Sequence, residues 1–245
     1  MNVLNPNTIM PCFYLQKRFL VQFLDKYVKM IFNTIFITKS FVSKWSKGGR
    51  GPLIVKTQGK GGIHMFICSI DRDVYLKLLT REDAERLFAL VDSCRPHLRR
   101  WLPWVDAVKA VEDSRAFIEG TLKKFAAGNG FEAGIWYKGV LAGVIGLHYI
   151  DRNNRKTSIG YWLGEPFQGL GLMTKSCKAC IDYVFQELKL NRVEIRCAVE
   201  NQKSRAIPER LGFVNEGTIR EAEWLYDHFV DHIVYGMIAS EWRAR

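Results

Sequence analysis

No stretch of this 245-residue chain accumulates eighteen apolar residues before a charge interrupts it, so nothing in it reads as a convincing membrane span. The start lacks the small-residue cleavage site of a secretory signal. Internal repeats and low-complexity tracts are also missing. Cysteine is sparse and scattered, at positions 12, 68, 94, 177, 180 and 197 in apolar contexts, which suits a reducing cytoplasm rather than a disulfide framework. Cys177 and Cys180 form a C-x-x-C without a second Cys/His pair at metal spacing, so they read as core and no metal site is expected. Acids are almost absent from residues 1–64, where Asp25 stands against ten Lys/Arg; the remaining 26 Lys/Arg face 24 Asp/Glu. The net charge of +11 therefore sits mostly on the first quarter, and the body demands no nucleic acid.

Residues 1–64 differ from the rest. Apolar pairs recur every four residues from Phe19/Leu20 to Ile35/Phe36, with Lys17, Arg18, Lys26 and Lys29 interspersed, and a Gly/Lys-rich linker, Lys47 to Gly62, follows. An amphipathic helix on an anionic membrane surface would have this pattern. The alternative is a segment that is not native: Lys60-Gly61-Gly62 can be encoded by a bacterial ribosome-binding sequence, with Met65 at the usual start-codon distance. The favoured expectation is translation from Met65, an extension over 1–64 and one domain over 65–245. Membrane contact is expected only if 1–64 is native.

From Met65 the patterning is that of a mixed α/β domain. Val74–Leu79 reads as a strand and Thr80-Arg81-Glu82-Asp83 as a capping box opening a helix to about Cys94. A second helix spans Val111 to Ala127. Phe131–Tyr137 and Val140–Asp151 form a hairpin about Lys138-Gly139, and Asn153-Asn154 turns into Lys156–Leu163. Then come helix 174–188, strand Arg192–Val199, helix 203–211, and strands Phe213–Ala222 and Phe229–Ala239. The total is seven strands.

Between strand 156–163 and helix 174–188 lies Gln168-Gly169-Leu170-Gly171-Leu172-Met173-Thr174. A glycine turn there leaves backbone N–H groups free at a helix N-terminus, where the dipole favours anions. A dinucleotide fingerprint needs a third glycine where Thr174 stands, and a P-loop needs a Gly-Lys-Ser/Thr that is absent. One helix and one strand later, Asn201-x-x-Ser204 precedes Gly212-Phe213 by eight residues. Alone, Asn201 and Ser204 read equally well as caps of helix 203–211. Together the two elements resemble the acetyl-CoA motifs of the GNAT acetyltransferase superfamily over about residues 70–242. Arg99-Arg100-Trp101-Leu102-Pro103-Trp104, Gly160-Tyr161-Trp162-Leu163, and Ser204 through Phe213 are similar to the RimJ/RimL branch and its YdaF-like members, which acetylate N-terminal α-amines of ribosomal proteins.

The resemblance implies a GNAT-like, mostly antiparallel seven-stranded sheet with about four helices, splayed between the strands 156–163 and 192–199. It implies pantetheine along Tyr161, Trp162 and Leu163, pyrophosphate over residues 169–174, and contacts from Gln168, Asn201 and Ser204. A backbone N–H near Trp162–Leu163 would polarise the acetyl carbonyl. Glu223 would be the base, with Glu221 as neighbouring competitor, and Ser204 the proton donor to the thiolate. Many relatives carry a tyrosine acid seven residues after the asparagine; Pro208 stands there instead. Trp101 and Trp104 are candidate walls of the acceptor groove or core aromatics. Lys175, Lys203 and Arg205 are candidate phosphate cations or plain surface charges. His228 and His232 read as surface or groove residues, not ligands. The expected activity is transfer from acetyl-CoA to a protein N-terminus, ribosomal and cytoplasmic. A small-amine acceptor, a non-catalytic acetyl-CoA-binding module and a homodimer stay open.

Overall fold

The computed structural model describes residues 53–54 and 67–244; the rest of the basic segment 1–64 and the Met65 start lie outside the described residues. Among the described residues nine strands form one sheet: β1 (Leu53–Ile54), β2 (Ile67–Ser69), β3 (Val74–Leu78), β4 (Phe131–Tyr137), β5 (Val140–Leu147), β6 (Lys156–Leu163), β7 (Arg192–Ala198), β8 (Val214–Leu225) and β9 (His228–Ile238). Their spatial order is β1-β2-β3-β4-β5-β6-β7-β9-β8. The seven expected strands are present, and two short ones extend the edge beyond β3. Helices α1 (Ala84–Ser93), α2 (Arg95–Arg99) and α3 (Val111–Ala126) lie between β3 and β4. Helix α4 (Leu172–Gln186) links β6 to β7, α5 (Gln202–Arg210) follows β7, and α6 (Ala239–Arg243) follows β9. The two helices added to the expected four, α2 and α6, have five residues each, too short for a helical period to register in sequence.

Alternation along the strands gives the sheet two apolar faces. Val74, Leu76, Ile135, Ile145, Ile159, Val193 and Ile195 pack with the buried face of α4, where Cys177, Cys180, Ile181 and Val184 lie; the C-x-x-C is core. On the opposite face Leu79, Trp136, Leu141 and Val144 meet Leu87, Leu90 and Val91 of α1 and Ile118 of α3. The α1 entry is capped as its sequence implies. Thr80 donates its backbone N–H and its hydroxyl to the Asp83 carboxylate, each at 3.0 Å, and Lys77 pairs with the same group at 3.0 Å.

Among the described residues every strand pairing is antiparallel except β6 with β7, where α4 makes the crossover. That parallel ladder runs only from Lys156↔Arg192 to Ile159↔Ile195. Beyond it β6 stays with β5 through Gly143↔Leu163, and β7 stays with β9 through Ala198↔His232. The sheet therefore opens a wedge between the C-terminal halves of β6 and β7.

Asp83 is 1% exposed, and although burial raises its carboxyl pKa, the Thr80 and Lys77 donors outweigh that and hold it below the usual aspartate range. A lowered folded-state pKa contributes stability above the unfolded value of about 3.9 and loses it as pH falls. Asp83→Ala should cost about 2 kcal/mol at pH 7. Chemical denaturation should show that penalty shrinking from pH 5 towards pH 2.

Candidate active site

The wedge opens into a cavity of about 1930 Å3. Of the residues expected at the site, Trp101, Trp104, Tyr161, Trp162, Leu163, Gln168, Gly169, Gly171, Leu172, Met173, Thr174, Asn201, Ser204 and Glu223 line it; Leu170 does not, and is 48% exposed.

Helix α4 starts two residues earlier than its apolar pattern indicates, so Leu172, Met173 and Thr174 form its first turn. Gly171 is the N-cap at φ 72°, and Gly169 has φ 76°; a Cβ at either would meet only open space. Both glycines are needed for the left-handed backbone rather than for close packing. The first intrahelical bond is Lys175 N–H to the Gly171 carbonyl at 3.1 Å, leaving the preceding N–H groups without intrahelical acceptors. The cations nearby divide. Lys203 donates to Gln168 Oε1 at 2.9 Å, while Gln168 Nε2 lies 2.7 Å from His97 Nε2. Arg210, at the end of α5, donates to Thr174 Oγ1 at 2.7 Å and also lines the cavity. Lys175 lines it too but pairs with Asp71 at 2.7 Å. Arg205 instead donates to the Val199 carbonyl at 2.8 Å and to the Tyr235 hydroxyl at 3.2 Å, pinning α5 to the sheet.

The β6 edge has a definite polarity. Gly164 N–H donates to the Ala142 carbonyl and His148 N–H to the Ser158 carbonyl, so even-numbered residues exchange bonds with β5. Tyr161 and Leu163 turn their N–H and C=O towards β7, past the point where its ladder has ended. Of the expected pair Trp162–Leu163, it is Leu163 whose N–H faces the wedge.

At the head of α5, Asn201 is the N-cap, its Oδ1 accepting Ser204 N–H at 3.1 Å. The Tyr161 hydroxyl donates to the Ser204 carbonyl at 3.1 Å, and Ser204 Oγ stands 3.4 Å from that hydroxyl and 3.2 Å from Cys197 Sγ. Burial raises the Tyr161 phenol well above its ordinary pKa and raises the Cys197 thiol, keeping both protonated. Pro208 leaves no tyrosine on α5, yet β6 brings one beside Ser204, a juxtaposition with no local signal.

Across the cavity, β8 carries a bulge. Ile219 pairs with His232 and Glu223 with Val230, so residues 220–222 oppose Asp231 alone. Glu221 takes φ 48° and donates its N–H to Asp231 Oδ1 at 2.7 Å. Glu221 is exposed and does not line the cavity, whereas Glu223 does, with Oε2 3.4 Å from His232 Nε2. Trp104 and Trp162 form one wall, ring centroids 5.8 Å apart. Among the described residues no three His, Cys, Asp or Glu side chains converge as a metal site, and no helix is long and apolar enough to cross a membrane.

Residues 73–214 match the acetyltransferase (GNAT) domain family. YdaF of Bacillus subtilis (strain 168), whose name assigns it ribosomal N-acetylation only provisionally, is 40% identical over 181 residues, covering 74% of this chain and 99% of YdaF. The ribosomal-protein-serine acetyltransferase of Escherichia coli (strain K12) is 30% identical over 169 residues, covering 69% of this chain and 94% of the relative. Among solved structures, RimL, a ribosomal L7/L12 alpha-N-protein acetyltransferase in complex with coenzyme A, superposes with a TM-score of 0.69 at 28% identity, over 71% of this chain and 99% of RimL.

Lys203 and Arg210 flank the glycine loop where a pyrophosphate would lie. Either replaced by alanine should weaken coenzyme A binding about tenfold at low ionic strength and much less at 0.5 M salt, where screening removes the contribution of an exposed cation. Calorimetric titration at the two salt concentrations measures both.

Proposed function

The chain belongs to the GNAT acetyltransferase family and is an acyltransferase, and on that premise we propose that it transfers acetyl from acetyl-CoA to the N-terminal α-amine of a ribosomal protein in the cytoplasm. The observation that carries the reading is one cavity lined by an anion-ready helix N-terminus, an unpaired strand edge, Ser204 and Glu223. The strand edge suits an amide-rich pantetheine arm, which bonds to Tyr161 and Leu163 as an added strand would. The α4 N-terminus and its flanking cations suit the pyrophosphate.

The chemistry then divides among named groups. Leu163 N–H polarises the acetyl carbonyl. Glu223 takes the proton that frees the amine lone pair. An α-amine titrates near 7.7–8.0, within reach of a carboxylate base, whereas a lysine near 10.4 asks more of it. The nitrogen–carbon bond forms as the carbon–sulfur bond breaks; Ser204 Oγ–H passes its proton to the departing sulfur and takes up the second proton that the nitrogen sheds as the amide forms. Trp104 and Trp162 bound the space for the acceptor's first side chain. The RimL and serine-acetyltransferase relatives support the choice of a protein N-terminus.

Thiol release from acetyl-CoA should be observed with short peptides bearing free N-terminal Ser, Ala or Thr, and not with N-blocked counterparts. Turnover with small amines alone would keep the chemistry and overturn the acceptor. Glu223→Gln should lower kcat by about a hundredfold or more. Ser204→Ala should lower it about tenfold, since a thiol of pKa about 8.5 departs tolerably unaided.

A further inference from the structure

We infer that His232 is the proton outlet of this site, unloading Glu223 after each acetyl transfer; the inference rests on the proposed role of Glu223. Acetylating an ammonium group yields an amide, a free thiol and one proton. The nitrogen–carbon bond forms, the carbon–sulfur bond breaks, one proton ends on sulfur, and the other must leave the protein before Glu223 can act again.

Four observations converge on His232. It lies on β9, opposite Ala198 of β7 and Ile219 of β8, on the stretch that borders the wedge. Both its side chain and that of Glu223 line the cavity. Its Nε2 is 3.4 Å from Glu223 Oε2, an open contact of the kind that tightens when substrate fills a site. The bulge at residues 220–222 is what brings Glu223 to this place on the strand, and it also leaves Glu221 outside the cavity.

The surroundings assign other work to the neighbouring charges. Asp231 is occupied by the Glu221 N–H, and on β7 Arg196 pairs with Glu194 at 3.1 Å. Among the described residues His232 Nδ1 has no hydrogen-bond partner. The His232 side chain is 17% exposed, so its ring has the carboxylate on one nitrogen and a second nitrogen for water. An imidazole can take a proton on one ring nitrogen and release one from the other, which suits a relay between a carboxylate and solvent.

The test uses the full chain, acetyl-CoA and whichever free amine the wild type acetylates. His232→Ala should lower kcat at least tenfold while the KM for acetyl-CoA stays within twofold. Added imidazole should restore turnover in proportion to its concentration, with no effect on the wild type. His232→Gln keeps a hydrogen-bond donor but has no titratable nitrogen, and it should be as slow as the alanine variant and equally rescued. Retained acetyl-CoA binding by the glutamine variant controls for folding. Full activity of the glutamine variant would reduce His232 to a positioning group and overturn the inference. So would an alanine variant within twofold of wild type, or a loss that imidazole does not relieve. In those cases an active wild type leaves the acetyltransferase reading standing. Silence of the wild type on every amine would overturn that reading and this inference with it.

Discussion

The arrangement of the site depends on where one β-ladder stops. Parallel pairing between β6 and β7 lasts four residues a side, and then each strand follows its other neighbour. An interrupted ladder leaves backbone donors and acceptors without partners, which a folded chain tolerates only where water or a ligand supplies them. Here the interruption is braced on both sides. Gly143 lets β5 approach β6 so closely that a Cβ there would overlap the Trp162 carbonyl oxygen. Arg205, Tyr235 and Glu209 tie α5 down to β9, with Tyr235 accepting at 3.2 Å and donating to Glu209 at 2.6 Å. Each half of the wedge is thus fixed to its own neighbour, and the polar edge of β6 is presented between them.

The wedge also sets where the two helix N-termini point. Helix α4 follows β6 after the glycine loop and α5 follows β7 directly, so both helices start beside the opening. Gln168 and Lys203 join the two elements across it, as do Thr174 and Arg210. The result concentrates N–H groups and cations over one short stretch, a field that attracts an anionic ligand without a metal ligand set.

What could be read in the sequence is what is encoded locally. Glycines at 169 and 171 ahead of a helical pattern, Asn201 three residues before Ser204, and the Thr80–Asp83 box each declare their geometry within a few residues. Strand-like segments bounded by turn residues likewise marked the seven main strands. Other features rest on contacts between distant segments. Arg210 reaches Thr174 over 36 positions and Tyr161 reaches Ser204 over 43, and neither spacing leaves a mark in a local pattern. The bulge in β8 is of the same kind. Arg220-Glu221-Ala222 contains no glycine to announce a left-handed residue, and Glu221 adopts φ 48° with its N–H held by Asp231. Family resemblance singled out Glu223, but His232 had no such guide, and its partner became visible only once the strands were in register.

The two faces of the cavity divide proton handling by exposure. On the α5 side, Tyr161 and Cys197 are held in their protonated forms by burial, and they surround the Ser204 hydroxyl, so that side disfavours a lasting negative charge. On the β8 side, the Glu223 side chain is 35% exposed and His232 lies beside it, so water reaches the groups that would receive a proton. In the proposed reaction the amine must lose a proton to a group that can pass it on, and the sulfur must gain one from a group that is reprotonated in the same turnover. A wedge with one buried wall and one wet wall meets both demands with ordinary side chains, because burial keeps Tyr161 and Cys197 neutral on one wall while water reaches the other.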